Sequence, residues 1–173
     1  NPDVRVDKHR TRITARNAIE LITPYDVIID GADNFATRYL VNDVALRLGK
    51  PVVHASIFRF EGMVSVFHPL EGPTYRDMVP EPPPAELAQS CAKAGVLGVL
   101  PGIVGSIQAL EVIKVLLGLG EPLIGRILSV DTTDMSFRTF NLRKDPANQV
   151  TYENRDRIII SDLEGLCAPG LHD

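Results

Sequence analysis

Asp30-Gly31-Ala32-Asp33-Asn34 is the first stretch whose residue types and spacing could do chemistry. The apolar run Tyr25-Asp26-Val27-Ile28-Ile29-Asp30 precedes it and is closed by Gly31, as a buried parallel strand is, and a helical pattern follows. Ligands of open α/β sheets bind at that end of a strand. A helix N-terminus there offers backbone N–H groups and a field that favours phosphate. A carboxylate beside a phosphate is repelled unless a divalent cation lies between them, so Asp33 at this position suggests Mg²⁺. The competing reading is that Asp33 or Asn34 only caps the helix, which both residue types do well. Arg38, four residues after Asn34 and on the same helix face, either points toward that site or is a solvated surface arginine. Arg12 and Arg59 are the other basic candidates.

Cys91 is the second candidate, in Gln89-Ser90-Cys91-Ala92-Lys93-Ala94-Gly95. Lys93, or a helix N-terminus beginning nearby, would lower its thiol pKa. An exposed thiol on a loop could then attack an activated acyl group. The alternative is a small buried hydrophobe, the usual state of a free cysteine. Cys167 is the second cysteine and no CxxC occurs, so neither a disulfide framework nor a cysteine zinc site is supported. His9, His54, His68 and His172 have no metal spacing, and His54 reads as a core residue of a strand. Ser56, Ser65 and Ser106 lack the G-x-S-x-G setting of a serine hydrolase. Neither G-x-G-x-x-G nor G-x-x-x-x-G-K-[ST] is present. The glycines at 95, 98, 102 and 105 suit close helix packing better than phosphate binding.

These residues need a frame. The chain has 173 residues, 45% of them hydrophobic, enough for one core and a small satellite. A net charge of −4 with no basic cluster argues against nucleic acid. The longest apolar stretch, Val96 to Leu119, is interrupted by Pro101, Gln108, Glu111 and Lys114, so it is not read as a membrane span. No signal peptide is visible, a cytoplasmic protein is expected, and Asn1-Pro2 reads as a cut end.

A short strand is expected at Val4-Arg5-Val6, then a helix over residues 17–22 capped by Thr14 and stopped by Pro24. After the strand at 25–30 comes a helix from Phe35 to Leu48, with Phe35, Leu40, Val44 and Leu48 on one stripe and Gly49 at its end. Residues 51–58 form the next strand, which completes a βαβαβ order. The strand at 63–67 follows so closely that it must run antiparallel. Residues 69–94 keep no apolar period and carry six prolines by Pro84, as a stiff, partly polyproline connection would. Gly102 to Leu117 is a helix apolar on most sides, and is either central to the core or part of a subunit interface. Strands at 127–130 and 137–142 follow. The tail from Asp145 shows no clear fold, apart from a capping box at Ser161-Asp162-Leu163-Glu164.

Tyr25 to Arg38 with Asn42-Asp43 resembles the ATP-site segment of the MoeB/ThiF adenylyltransferase family, relatives of ubiquitin-activating enzymes. The likeness continues through Gly49-Lys50-Pro51, Phe60-Glu61-Gly62, Glu81 to Pro84, Cys91-Ala92 and Gly95 to Gly98. It runs on through Pro101 to Ser106, Gln108-Ala109, Glu111 to Lys114, Gly125-Arg126 and Ser136 to Thr139. The resemblance implies an α/β, Rossmann-like fold with a mixed sheet, here without its N-terminal nucleotide-binding elements. It also implies ATP-dependent adenylylation of the C-terminal glycine of a ubiquitin-like sulfur-carrier protein. Asp33 would meet Mg²⁺ and the phosphates, Asn34 and Arg38 would lie in the nucleotide site, and Cys91 would accept the activated acyl group. Residues 69–94 would be the crossover loop. Residues 1–145 would be the C-terminal part of the adenylylating domain, and 146–173 a linker like that before a rhodanese domain. A homodimer is expected, with a rhodanese as a possible sulfur donor. Many members hold zinc with two CxxC pairs. Thr74 and Asp77 stand at the first pair and residues 146–152 hold no cysteine, so no zinc is expected. The family's glycine-rich loop has no counterpart in these 173 residues, which makes the chain alone an inactive partial site. The alternative is a non-catalytic module for carrier binding and dimerisation. A nicotinamide dehydrogenase lacks its fingerprint.

Overall fold

A computed structural model describes residues 1–83 and 95–163. Its elements in chain order are α1 (Ala18–Ile22), β1 (Ile28–Asp30), α2 (Phe35–Leu48), β2 (Val52–Phe58), β3 (Glu61–Phe67), α3 (Tyr75–Met78), α4 (Leu100–Leu117), β4 (Arg126–Asp131) and β5 (Ser136–Asn141). A single 3₁₀ turn, Arg155–Arg157, follows. The strands form one mixed sheet in the order β1-β2-β3-β4-β5. β1 pairs in parallel with β2, placing Asp30 beside His54, and the remaining pairs are antiparallel. The close spacing of β2 and β3 is resolved by a two-residue turn in which Arg59 takes a left-handed φ of 52°.

Local chemistry sets the bounds of α2. Asn34 Oδ1 accepts the Thr37 N–H at 2.8 Å at its start, and Gly49 ends it in the left-handed conformation at φ 68°. The helix lays Tyr39, Val41 and Ala45 against Val52, Phe67 and Tyr75, and turns Leu40 and Val44 toward α1. The second core lies between the sheet and α4, where Val53, Ala55, Val64 and Val66 meet Leu100 and Val104. β3 and α4 approach so closely at Gly62 that an added Cβ would stand 2.4 Å from Val104 Cγ2. Val104 is β-branched and cannot swing aside. Gly62→Ala is therefore expected to cost about 1–3 kcal/mol of unfolding free energy by overpacking, read in a urea titration.

Several expectations change. Val4 to Val6 forms no strand. Asn17, not Thr14, is the residue before α1, and its side-chain oxygen turns back to the Thr14 N–H at 2.8 Å. β1 has three residues instead of six. Within 69–94, the stretch read as irregular holds α3, opened by a capping box between Thr74 and Asp77. Asp77 also accepts the Asp145 N–H and an Asn148 Nδ2–H, both at 2.9 Å, and Asn148 reaches Thr74 Oγ1 at 3.2 Å. The tail is thereby fastened to α3. It then packs the Tyr152 ring on Gly49, gives the Ile158 carbonyl to Arg47, and receives the Ala15 N–H on Asp162. Asp162 is thus engaged by residue 15, and Glu164 of the expected capping box lies outside the described residues.

α4 is not central to the core. One stripe, Leu100, Val104, Gln108 and Glu111, is buried, while Leu110, Leu116 and Leu117 are exposed. The helix is long and apolar enough to cross a membrane, with a mean hydropathy of 1.6. Its polar residues are nevertheless bonded to this fold: Glu111 accepts the Leu123 N–H at 2.7 Å and a Lys114 ammonium N–H at 2.6 Å.

Candidate functional site

A cleft of about 210 Å³ opens at the C-terminal edge of β1 and β2. The β1–α2 loop contributes Gly31, Ala32 and Asp33, β2 contributes Ser56 and Ile57, and α4 contributes Pro101, Gly105 and Gln108. The sheet edge, the helix N-terminus and a carboxylate therefore meet as the sequence pattern requires.

The helix-cap question is divided between neighbours. Asn34 caps α2, through Thr37. Asp33 does not; its carboxylate is exposed and accepts a 3.2 Å hydrogen bond from Asn34 Nδ2. Arg38 is half-buried rather than fully solvated. It lines the cleft and donates through Nε and Nη2 to the Ala32 carbonyl at 3.1 and 3.0 Å, with its guanidinium 5.4 Å from the Phe35 ring. It thus anchors the loop that presents Asp33. Arg12 and Arg59 are exposed and do not line the cleft. Arg59 stacks on Phe58, and its carbonyl accepts the Leu97 N–H. Cys91, with the rest of 84–94, lies outside the described residues, as do Cys167 and His172.

Beneath the cleft, Asp30 is buried and fully engaged. Its Oδ1 accepts the Ala32 N–H at 2.9 Å, its Oδ2 meets His54 Nδ1 at 2.7 Å, and its carbonyl accepts a Gln108 Nε2–H at 2.9 Å. His54 is the core histidine expected, but only half satisfied, because its buried Nε2 has no partner. That ring sits against Tyr75 and Phe67 at centroid distances of 5.3 and 5.6 Å. Burial raises the Tyr75 phenol pKa, with the Arg38 charge beside it acting in the opposite direction. Burial likewise raises the Tyr39 phenol, and its hydroxyl donates to the Val79 carbonyl at 2.8 Å.

Asp30 and Gln108 carried no role in the sequence reading. The available signal was polarity at a core position: Gln108 and Glu111 interrupt an otherwise apolar helix, and the interruption excluded a span without suggesting what the side chains bond.

The ThiF family model matches residues 1–151. The chain belongs to the ThiF family. This ThiF-family chain is 46% identical over 172 residues to the sulfur carrier protein adenylyltransferase of Thermus thermophilus, a match that covers 96% of it and 64% of that relative. It is 47% identical over 171 residues to the probable adenylyltransferase/sulfurtransferase MoeZ of Mycobacterium tuberculosis, covering 94% and 44% of the two chains. The SAMP-activating enzyme E1 of Haloferax volcanii is 47% identical over 146 residues, covering 84% and 54%. The chain thus spans between about two fifths and two thirds of the length of these relatives. Among solved structures, E. coli MccB with ATP superposes with a TM-score of 0.67 at 16% identity, over 81% of this chain and 44% of that one. MccB with MccA-N7isoASN gives 0.68 at 14% identity, over 87% and 47%. These likenesses bear on the fold, and they agree with the mixed α/β sheet.

Proposed function

We propose that the protein containing this chain uses Mg²⁺-ATP to adenylylate the C-terminal glycine of a ubiquitin-like sulfur-carrier protein of the MoaD/ThiS kind, for sulfur transfer in cofactor or cysteine biosynthesis. One observation carries this reading within the cleft. Asp33 projects an exposed carboxylate at the start of α2 while its neighbour Asn34 performs the capping. The relative named as a sulfur carrier protein adenylyltransferase, 46% identical to the chain, supplies the substrate class.

The residues suit the chemistry. Among the described residues, no three His, Cys, Asp or Glu side chains gather to hold a metal by themselves. A lone carboxylate fits Mg²⁺, which takes one or two protein carboxylates and completes its shell with water and substrate phosphates. Bound there, the ion would offset phosphate charge as it develops. The start of α2 directs N–H groups at an anion, and Arg38 and Asp30 hold the loop in place. In the reaction, a carboxylate oxygen of the carrier's terminal glycine bonds to the α-phosphorus. The bond from that phosphorus to the α–β bridging oxygen breaks, and pyrophosphate leaves. The glycine-rich phosphate loop that completes such sites is absent from residues 1–173, so we place the remainder of the nucleotide site outside this chain.

The decisive measurement is calorimetric titration of Mg²⁺-ATP into the intact protein, with carrier-dependent ATP–pyrophosphate exchange. Binding and exchange are expected, and a protein that binds the carrier but neither binds ATP nor catalyses exchange would move the reading to its alternative. That alternative, a non-catalytic module for carrier binding and dimerisation, is favoured by the exposed Leu110, Leu116 and Leu117 of α4, an apolar face suited to a second copy. We place a homodimer over that face in either case. We assign residues 1–145 to the adenylylating domain and 146–173 to a segment leading toward a rhodanese-like sulfur donor. We also read the protein as free of zinc, because Thr74, Asp77 and Asn148 bond one another where thiolate pairs would stand in the resembled family.

Cys91 is proposed as the acceptor of the activated acyl group. Cys91→Ser is then expected to preserve ATP–pyrophosphate exchange within about twofold and to slow sulfur transfer by about 10²-fold or more. Unchanged sulfur transfer would show that the donor attacks the adenylate directly.

A further inference from the structure

Gln108 sits midway along α4, 7% exposed, and its side-chain nitrogen spans two strands at once. Nε2 donates to the Asp30 carbonyl at 2.9 Å and to the Val53 carbonyl at 2.8 Å. Asp30 is the last residue of β1, and Val53 pairs with Ile29 on the adjacent strand. The same amide therefore bridges the last residue of β1 and the second residue of β2, the two parallel strands whose C-terminal ends border the cleft.

The residue type is constrained by this arrangement. Two carbonyl acceptors demand two N–H groups on one atom, which a carboxamide nitrogen provides without charge. Glutamate has no donor there, and a lysine would bring an unpaired charge into a buried position. Asparagine has the right chemistry but is one methylene short.

What the clamp controls follows from the next residues. Asp30 carries the loop that presents Asp33, and it is held by three bonds of different origin: His54 from β2, Ala32 from the loop itself, and Gln108 from a helix 78 residues away. Among the described residues, Gln108 hydrogen-bonds from α4 to the β1 end from which that loop departs, and the α4 residues Pro101 and Gly105 form the opposite wall of the cleft. It thus sets the spacing between the two walls.

We infer that Gln108 is a positioning residue that fixes the β1 end, and through it the Asp33 carboxylate, against the α4 wall of the cleft. The inference rests on the proposed Mg²⁺-ATP function. A positioning role and a merely structural one differ in what they move, since positioning acts through Asp33 and so vanishes when Asp33 is removed.

The test measures ATP affinity of the intact protein with Mg²⁺ and with excess EDTA, and takes the ratio. The wild-type ratio is expected at about 10 or more. Gln108→Met, of similar shape but without donors, is expected to bring the ratio to about 2–3 while affinity in EDTA stays near wild type. Asp33→Ala is expected to bring it to about 1, and the double variant to stay at that value. Gln108→Asn keeps the polar group and serves should the methionine variant fail to fold; its ratio is expected to fall likewise. A wild-type ratio in either Gln108 variant, with only a lowered melting temperature, overturns the inference. A wild-type protein that binds ATP with no Mg²⁺ effect, or not at all, overturns the proposed function and this inference with it, and is told apart by the wild-type control alone.

Discussion

Asp33→Ala should reduce carrier-dependent ATP–pyrophosphate exchange by about 10²–10³-fold or more, the usual scale for losing one electrostatic contact to a transition state. Thermal unfolding should be unchanged. The carboxylate is exposed, and the hydrogen bond it accepts from Asn34 Nδ2 is long at 3.2 Å. The Asn34 bond that caps α2 uses the other side-chain atom, Oδ1, and survives. The contrast matters because a capping residue behaves in the opposite way: its loss costs about 1 kcal/mol of stability and leaves distant chemistry alone. Near-normal exchange together with a lowered melting temperature would return Asp33 to the helix terminus and remove the main support for a metal-nucleotide site here.

Tyr75→Ala is expected to have the largest effect on stability, about 3–5 kcal/mol by analogy with other buried aromatic truncations. The ring is 2% exposed, and its centroid lies 5.1 Å from that of Tyr39, 5.3 Å from His54 and 5.9 Å from Phe67. Its backbone N–H is also committed, to Asn42 Oδ1 at 3.0 Å. Domains of this size are stable by only about 5–15 kcal/mol, so the variant should be partly unfolded at modest urea concentrations. Tyr75→Phe keeps the ring and should lose little. A cost under about 1 kcal/mol for the alanine variant would mean that the aromatic cluster is not a cooperative part of the core.

These two residues show where the sequence was legible. The place of Asp33 at the cleft edge was legible because the features that put it there are adjacent: an apolar strand, a glycine and a helix start within a few residues. The same holds for α2, whose bounds at Phe35 and Leu48 follow from Asn34 and Gly49 beside them. Tyr75 could not be found, because its neighbours in the chain are prolines and polar residues while its partners in space come from α2, β2 and β3. Asn42 holds it from 33 residues away. Gln108 is hidden for the same reason, with acceptors 78 and 55 residues distant. The apolarity of α4 was plain in the sequence. Which stripe would face the sheet was not, since an all-round apolar helix has no polar side to betray its orientation. Thr14 failed in a different way: two capping residue types lay three positions apart, and Asn17 turned its side chain back onto the Thr14 amide.

The join between α3 and the tail is made largely by one side chain. Asp77 takes the Thr74 and Asp145 N–H groups and the Asn148 carboxamide on its two oxygens, so one side chain secures a turn, a helix start and a returning segment together. A fastening made of ordinary hydrogen bonds can be genetically dialled. Asn in place of Asp77 would loosen it by degrees, and alanine would leave only the 3.2 Å bond from Asn148 to Thr74 Oγ1, with no metal to supply or strip and no thiol to keep reduced. Residues 145–150 therefore offer an engineer a latch on α3 whose strength is set by one codon.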